Sequence, residues 1–402
     1  MFKNIDEALS WVMSQRNADS SFEHFKMVMN SIDNPQNNFY TVHVAGTNGK
    51  GSTVAYLRDL LMSQGFKVGT LQSPHYITHL DRIRVDNKNI DANAFLDILN
   101  EKYDFIIEHK LSMFEIDYLI MCEYFKQKNI DIAVVEVGLG GRLDSTNVID
   151  NTKLSIITTI GYDHMERLGN SLEAICNEKC GIVKDNSKLL IGELNDSCVN
   201  VCVENAKKHN CEFYQIDKYY DLSNRQFEYK NEKYELESYA KYQLHNASLA
   251  IEAFNIISKD FPFTINLEKA KNALSKTVWE NRFQIVKENP RVILDGGHNV
   301  QGIEALVDSF DQFEGSKCII FSALKRKEYK KMLEILINHT DKLVITAFDN
   351  IESIDINEFN DERFEINDNY IDAIDKAISN YDNVLVCGSL YFMSDVVLNY
   401  KF

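Results

Sequence analysis

VHVAGTNGKGSTVAYL, residues 42–57, is the stretch on which the fold turns. An apolar, β-branched run breaks at Gly46, Gly49 and Gly51, set around Lys50, and a helical pattern begins behind them. Glycines let successive backbone N–H groups converge on an anion; a helix N-terminus adds partial positive charge and Lys50 a full one. Ala45-Gly46-Thr47-Asn48-Gly49-Lys50-Gly51-Ser52-Thr53 therefore reads as a strand-to-helix loop built for a polyphosphate, with the helix running to about Gln64 and closed by Gly65. The general pattern of such loops, G-x-x-x-x-G-K-[ST], wants glycine at position 44 and a hydroxyl directly after the lysine, places held here by Val44 and Gly51. A glycine-rich turn without a ligand explains the glycines. It does not explain a lysine at the helix start with two hydroxyls behind it.

Outward from the loop, apolar β-branched runs alternate with amphipathic stretches to the end of the chain. The clearest strands are 39–44, 67–71, 131–137, 153–160, 188–193, 291–295, 317–323, 342–348 and 383–387. Continuous hydrophobicity marks strands buried on both faces, and the 3.6-period segments between them supply covering helices. The class is α/β: a mostly parallel, P-loop-type sheet domain plus a smaller C-terminal α/β domain of Rossmann-like character. From about Glu212 to Glu237 the rhythm changes to polar/apolar alternation, predicting a small antiparallel insertion with a turn near Asn231, packed on the first domain. Glu-Asn-Pro at 288–290 is the best linker signal in a chain with four prolines, so the domains are drawn as 1–285 and 286–402.

Composition excludes several classes. A chain of 402 residues, 45% hydrophobic, exceeds the usual single domain and can bury a sizeable core. Formal charge −17 repels the phosphate backbone of nucleic acid, which is excluded as a partner. No run of 18 apolar residues occurs and the amino terminus is acidic and amphipathic, so the expectation is a cytoplasmic protein with no membrane contact. The eight cysteines are scattered; the closest pairs, Cys176/Cys180 and Cys198/Cys202, are four apart, which matches helical turns better than a Cys-x-x-Cys knuckle. They read as reduced core thiols.

Phosphates held this way need a divalent cation and hence a carboxylate on a neighbouring strand. Glu136, a charge inside the apolar run DIAVVEV and followed at once by glycines, supplies one, the alternative being a buried pair with Arg142. The next strand delivers Asp163 and His164 at its carboxyl end, the edge where parallel sheets bind ligands.

GTNGKGST, SPH (73–75), EVGLGGRLDSTN, GYDHMERLG followed by EKCGIVK, LHNA and DGGHN, in this order, resemble the folylpolyglutamate synthase and dihydrofolate synthase family of the Mur ligase superfamily. Only about 40 residues precede the loop, too few for the nucleotide-sugar domain of the cell-wall branch, which points to the folate branch. The resemblance implies an ATP-dependent ligase: ATP phosphorylates a carboxylate, and the amino group of L-glutamate attacks the acyl phosphate to form an amide. The acceptor would be dihydropteroate or a reduced folate, and the enzyme a monomer.

It further implies that Thr47, Asn48, Gly49, Lys50, Gly51, Ser52 and Thr53 hold the nucleotide phosphates, and that Ser52, Ser73, Glu136 and His164 serve Mg2+. Lys179 matches a lysine carried as a carbamate, which requires its neutral amine and so a depressed pKa. Lys50, Glu136, His164 and Lys179 form the implied catalytic set. Gln243 and Asn246 would lie near the base, Arg282, Asp295 and His298 would contact the nucleotide from the second domain, and His75, Arg82 and Arg84 would meet the acceptor. The chain departs from the family pattern at DGGHNV, at Arg326-Lys327-Glu328 and at SSFEHFKMV (20–28), the last in the region expected to recognise pterin. Competing readings are a related Mur-type ligase with another acceptor acid, and a P-loop phosphotransferase whose phosphorylated product survives without an amine donor.

Overall fold

The computed structural model describes residues 1–17, 21–223 and 225–402; Ser20, the first residue of the divergent 20–28 segment, lies outside them. The chain forms two compact units. One comprises Met1–Lys218 and His245–Thr277, the other Tyr219–Leu244 and Val278–Phe402. The chain thus changes unit within the helix Lys241–Ser258.

The first unit is built on an eight-stranded sheet of β1 (Tyr40–Ala45), β2 (Val68–Leu71), β3 (Ile83–Val85), β4 (Lys88–Asn89), β5 (Ile132–Glu136), β6 (Leu154–Ile157), β7 (Lys188–Ile191) and β8 (Glu212–Gln215). Their order is β4-β3-β2-β5-β1-β6-β7-β8, parallel from β2 to β8, with β3 and β4 as an antiparallel edge. β5, β6 and β2 are buried at every position, as expected of strands covered on both faces. The central position of β1 places the phosphate loop at the middle of the carboxyl edge, flanked by the ends of β5 and β6. This is the crevice where open α/β sheets bind ligands.

Two expectations for residues 212–237 need correction. Glu212–Gln215 pairs parallel with β7 and closes the large sheet; it alternates because an edge strand is half solvated, a pattern that carries no information on direction. The antiparallel sheet is β9 (Tyr219–Ser223), β10 (Gln226–Tyr229) and β11 (Glu232–Glu235), and it groups with the second unit, not the first. The segment that follows explains why: Ala240 is buried in that unit's core, the ring of Tyr239 meets Phe313 at 5.7 Å, and the Lys241 N–H donates to Ser309 Oγ at 3.0 Å. The turn lies at Lys230 and Asn231, both with positive φ, the two-residue geometry that suits a twisted hairpin.

The second unit's main sheet runs β12-β13-β17-β14-β15-β16, comprising β12 (Gln284–Glu288), β13 (Arg291–Asp295), β14 (Lys317–Phe321), β15 (Lys342–Ile345), β16 (Glu365–Ile366) and β17 (Asn383–Cys387), with only β12 antiparallel. Alternation assigns its faces: Ile293, Ile319, Phe321 and Leu385 join one core, Val292, Leu294, Ile320 and Val384 the other. The sequence-drawn cut between 285 and 286 falls inside β12.

Candidate active site

The loop after β1 is shaped by the loop after β6. The Thr47 N–H donates to Thr159 O at 2.7 Å, its hydroxyl donates to Gly161 O at 3.1 Å, and the Asn48 N–H donates to Thr159 Oγ1 at 3.0 Å. The Thr158 hydroxyl donates to Asn48 O at 2.6 Å. Gly46 is required by this embrace, since a Cβ there would stand 1.8 Å from Thr158 Oγ1. Gly49 has φ +84° and serves as N-cap of the helix Lys50–Ser63; a Cβ there would stand 2.3 Å from Asn246 Oδ1.

That helix begins without a side-chain cap and without an acid in its first turn, so no acid of its first turn offsets the partial positive charge of its N-terminus. It ends as expected: Gly65, at φ +97°, follows the last turn, and the Phe66 N–H reaches Leu61 O at 3.4 Å in a Schellman arrangement. Asn48, Gly49, Lys50 and Gly51 form the half-buried mouth, whereas Ser52 and Thr53 lie one step deeper and are enclosed. The Lys50 ammonium folds back over the loop, donating to Gly46 O at 3.1 Å and Thr47 O at 3.4 Å.

Lys179 reaches the same carbonyl. Its Nζ donates to Gly46 O at 3.0 Å from a position only 4% exposed, on the helix Leu172–Cys180. Burial first, and then the neighbouring Lys50 ammonium, push its pKa down to about 7. The loop after β5 packs directly on that helix, for a Cβ on Gly141 would stand 2.8 Å from Lys179 O and the Arg142 N–H donates to Glu178 O at 2.8 Å. Lys179 is thus a buried amine facing the phosphate loop.

Glu136 ends β5 and is buried, and the Ser73 N–H points at its Oε2 across 3.5 Å. Arg142, its alternative partner, is instead bound to Glu178 through Nε at 2.9 Å. The Ser73 hydroxyl accepts from Arg82 Nη1 at 3.4 Å, and Arg82 Nη2 lies 3.4 Å from His75 Nδ1. Burial, then the Arg82 charge, hold His75 down at about 4, so its imidazole is neutral near pH 7. Arg82 is itself braced 3.6 Å from the buried Asp117, whose other oxygen meets His79 at 2.6 Å. Arg84 turns away to Asp81 O and Asn87 Oδ1. Arg82 thus joins Ser73 and His75, while Arg84 binds within its own loop.

His164, with φ +51°, caps the one-turn helix Met165–Leu168 and sits between Asp163 and Glu166 at 3.8 and 3.6 Å. Among the described residues no triad of His, Cys, Asp or Glu ligand atoms gathers around Glu136 or His164.

In the second unit, Asp295 ends β13 and organises its turn: Oδ1 accepts from the Gly297 N–H at 2.7 Å, and Oδ2 from the Phe283 N–H at 2.8 Å and the Tyr242 hydroxyl at 2.6 Å. Burial raises its carboxyl, with Arg282 and these donors opposing. Arg282 lies over Gly296, where a Cβ would stand 3.2 Å from its Nη1, and His298 Nδ1 is 3.1 Å from Gly296 O. Asn299 caps the helix Val300–Phe310, as expected of a strand-to-helix binding turn. Gln243 is buried in the same unit.

Two family models match this chain, the Mur ligase middle domain over residues 44–256 and the Mur ligase glutamate ligase domain over residues 281–390. The chain belongs to the Mur ligase family. This Mur ligase is 32% identical to the dihydrofolate synthase/folylpolyglutamate synthase of Bacillus subtilis, over 98% of its own length and 99% of the relative's. FolC of Escherichia coli in complex with DHPP and ADP is 26% identical with a TM-score of 0.85, covering 98% of this chain and 97% of that one. Folylpolyglutamate synthase of Mycobacterium tuberculosis complexed with ADP, at 22% identity and a TM-score of 0.89 over 99% and 98% of the two chains, shares the fold.

Sequence reasoning overlooked the threonines of this Mur ligase. Thr158 and Thr159 fix the loop, and their signal is faint, two hydroxyls at the end of the apolar run KLSIITTI. It also missed Asp144, which accepts from the Leu139 N–H at 2.7 Å and from the Thr146 N–H at 3.1 Å and so sets the glycine turn behind Glu136. His245, beside Thr158 O at 3.3 Å, was passed over for its neighbours Gln243 and Asn246.

Proposed function

We propose that this Mur ligase joins L-glutamate to the carboxylate of a folate-type acceptor in an ATP-dependent reaction, as a dihydrofolate synthase, a folylpolyglutamate synthase, or both. The observation that carries the reading is the loop at residues 45–51: a helix start without a side-chain cap, with Lys50 folded over it and Lys179 reaching the same carbonyl. A carboxylate is a poor electrophile, so it is activated as an acyl phosphate before the amine of glutamate attacks and phosphate leaves. The chain's part is largely alignment of anions that otherwise repel. Backbone N–H groups at the helix start and the Lys50 ammonium would receive the terminal phosphates.

Mg2+ fits the donor set, because it is held by one or two carboxylates and phosphate oxygens more often than by a full protein cage. Glu136, the Ser52 and Ser73 hydroxyls and His164 would hold it, and the ion would neutralise phosphate charge. Lys179, with its pKa near 7, keeps a substantial neutral fraction at physiological pH, the form that adds carbon dioxide to give a carbamate. A carbamate signal from isotopically labelled bicarbonate, lost in Lys179→Met, checks that role. Arg82 and His75 are assigned to the acceptor, Arg84 to supporting the loop that carries them. Asn246 lies beside Gly49, and Arg282, Asp295, His298 and Gln243 are proposed as nucleotide contacts.

The deciding experiment is ADP release measured with dihydropteroate, tetrahydrofolate and a muramyl precursor in turn. Release that requires both glutamate and a pterin carboxylate supports the assignment. Stimulation by neither pterin removes the folate acceptor, and release without an amine requirement would favour a phosphotransferase.

A further inference from the structure

Three thiols that the ligation chemistry does not use converge beneath the active site. Cys176 and Cys180 lie one turn apart on the helix Leu172–Cys180, and Cys202 faces them from the helix Asp196–Lys208. The Cys202 sulfur is 3.5 Å from that of Cys176 and 3.5 Å from that of Cys180, and all three lie within 4.8 Å of one another. Each is a free thiol, essentially inaccessible to solvent, in a core with Ile157, Ile182 and Ile191. Spacing of i, i+4 puts two ligands on one helix face, the device by which the two histidines of H-E-x-x-H reach one zinc. A search for Cys-x-x-Cys knuckles passes over it, because the third ligand comes from another helix.

We propose that Cys176, Cys180 and Cys202 form a three-thiolate binding site for a soft cation of the zinc class.

Distances favour this over a disulfide. Tetrahedral zinc with bonds of about 2.3 Å sets its sulfurs about 3.8 Å apart. A disulfide needs about 2.05 Å. From the observed 3.5 Å the Cys202 sulfur would draw away by roughly 0.3 Å from each of the other two to take the metal, but would have to close by roughly 1.5 Å on one of them to oxidise, across two helices. A third sulfur is also surplus to a disulfide, whereas three thiolates supply three of the four positions of a tetrahedral zinc shell. The site does not compete with the cation at Glu136: soft thiolates select zinc-like ions, and hard oxygens select magnesium. Bound there, the ion would pin the helix that carries Lys179 onto its neighbour, and so steady the amine whose Nζ lies 3.0 Å from Gly46 O.

The test uses the full chain, stripped with a chelator and loaded with Zn2+ alone or with Co2+ as a coloured substitute. Native mass spectrometry is expected to show one zinc retained, and the cobalt form a thiolate-to-metal charge-transfer band that an oxygen-ligated site cannot give. Cys202→Ala abolishes both, while Cys211→Ser, whose thiol contacts Lys184 O at 3.1 Å outside the cluster, keeps both. Zinc-edge X-ray absorption on the unaltered protein guards against a variant that fails to fold, and should show three sulfurs at about 2.3 Å. A shell of nitrogen and oxygen only, absence of the band, its persistence in Cys202→Ala, or loss of two thiols to a disulfide would each overturn the proposal.

Discussion

At the scale of single residues, two lysine side chains, Lys50 and Lys179, meet at one carbonyl, that of Gly46. Lys50 is half-buried and donates to Gly46 O and Thr47 O of the loop it covers, so Lys50→Ala is expected to leave the fold intact. Turnover falls roughly 100-fold or more, the usual cost of removing a preorganised donor from a developing charge; ADP release beside a thermal melt would show the two effects separating. Lys179 behaves differently, because burial opposes its charge. Between its folded pKa of about 7 and its ordinary value near 10.5 the unfolded chain holds the proton that the folded chain has lost, so stability rises with pH across that window. Below pH 7 the penalty of the buried charge is fully present. Lys179→Met in bicarbonate-free buffer is therefore expected to abolish activity yet raise stability by a few kcal/mol near neutrality, the gain fading as pH approaches about 10. Urea unfolding at a series of pH values measures this, and a gain that grows with pH would contradict it.

At the scale of elements, a loop of one strand-helix unit is held by the next. Gly46 has no room for a side chain because the Thr158 hydroxyl occupies that space while donating to Asn48 O. Gly46→Ala is expected to destabilise by about 1–3 kcal/mol and to weaken binding of a non-hydrolysable ATP analogue. Adding Thr158→Ala removes the obstructing oxygen, so the double variant recovers part of the loss; strict additivity in a double-mutant cycle would refute this account of the glycine. The strand-loop-helix itself was legible because β-branched residues, three glycines and a lysine each have a local preference pointing the same way. Thr158 and Thr159 were not, since nothing local tells a threonine that it will hold a loop more than a hundred residues away. The direction of β8 was hidden for the same reason: an edge strand looks alike whichever way it pairs.

At the scale of the whole molecule, the two compact units are not two consecutive segments of chain. Residues 219–244 cluster with the C-terminal unit although the helix that follows them serves the other. Composition and linker signals run along the chain and see only the last crossing, near residue 278. A fragment beginning at 286 lacks Gln284 and Ile285, which pair with Leu294 and Ile293, and lacks the Phe283 N–H that donates to Asp295. A fragment 278–402 is therefore expected to melt more cooperatively than 286–402; identical melts by circular dichroism would mean that β12 contributes nothing to the unit.

The sequence by itself determined the alternation of buried strands and helices, the strand, glycine loop and helix around Lys50, and the order of motifs that places the chain among the Mur ligases. These follow from local backbone preference and from the period at which apolar residues recur. Only the tertiary structure decided which carboxylate is braced by which arginine, that Lys179 is buried against the loop, and that three cysteines on two helices meet. Burial and electrostatic environment are properties of what packs against a residue, and those neighbours come from distant parts of the chain.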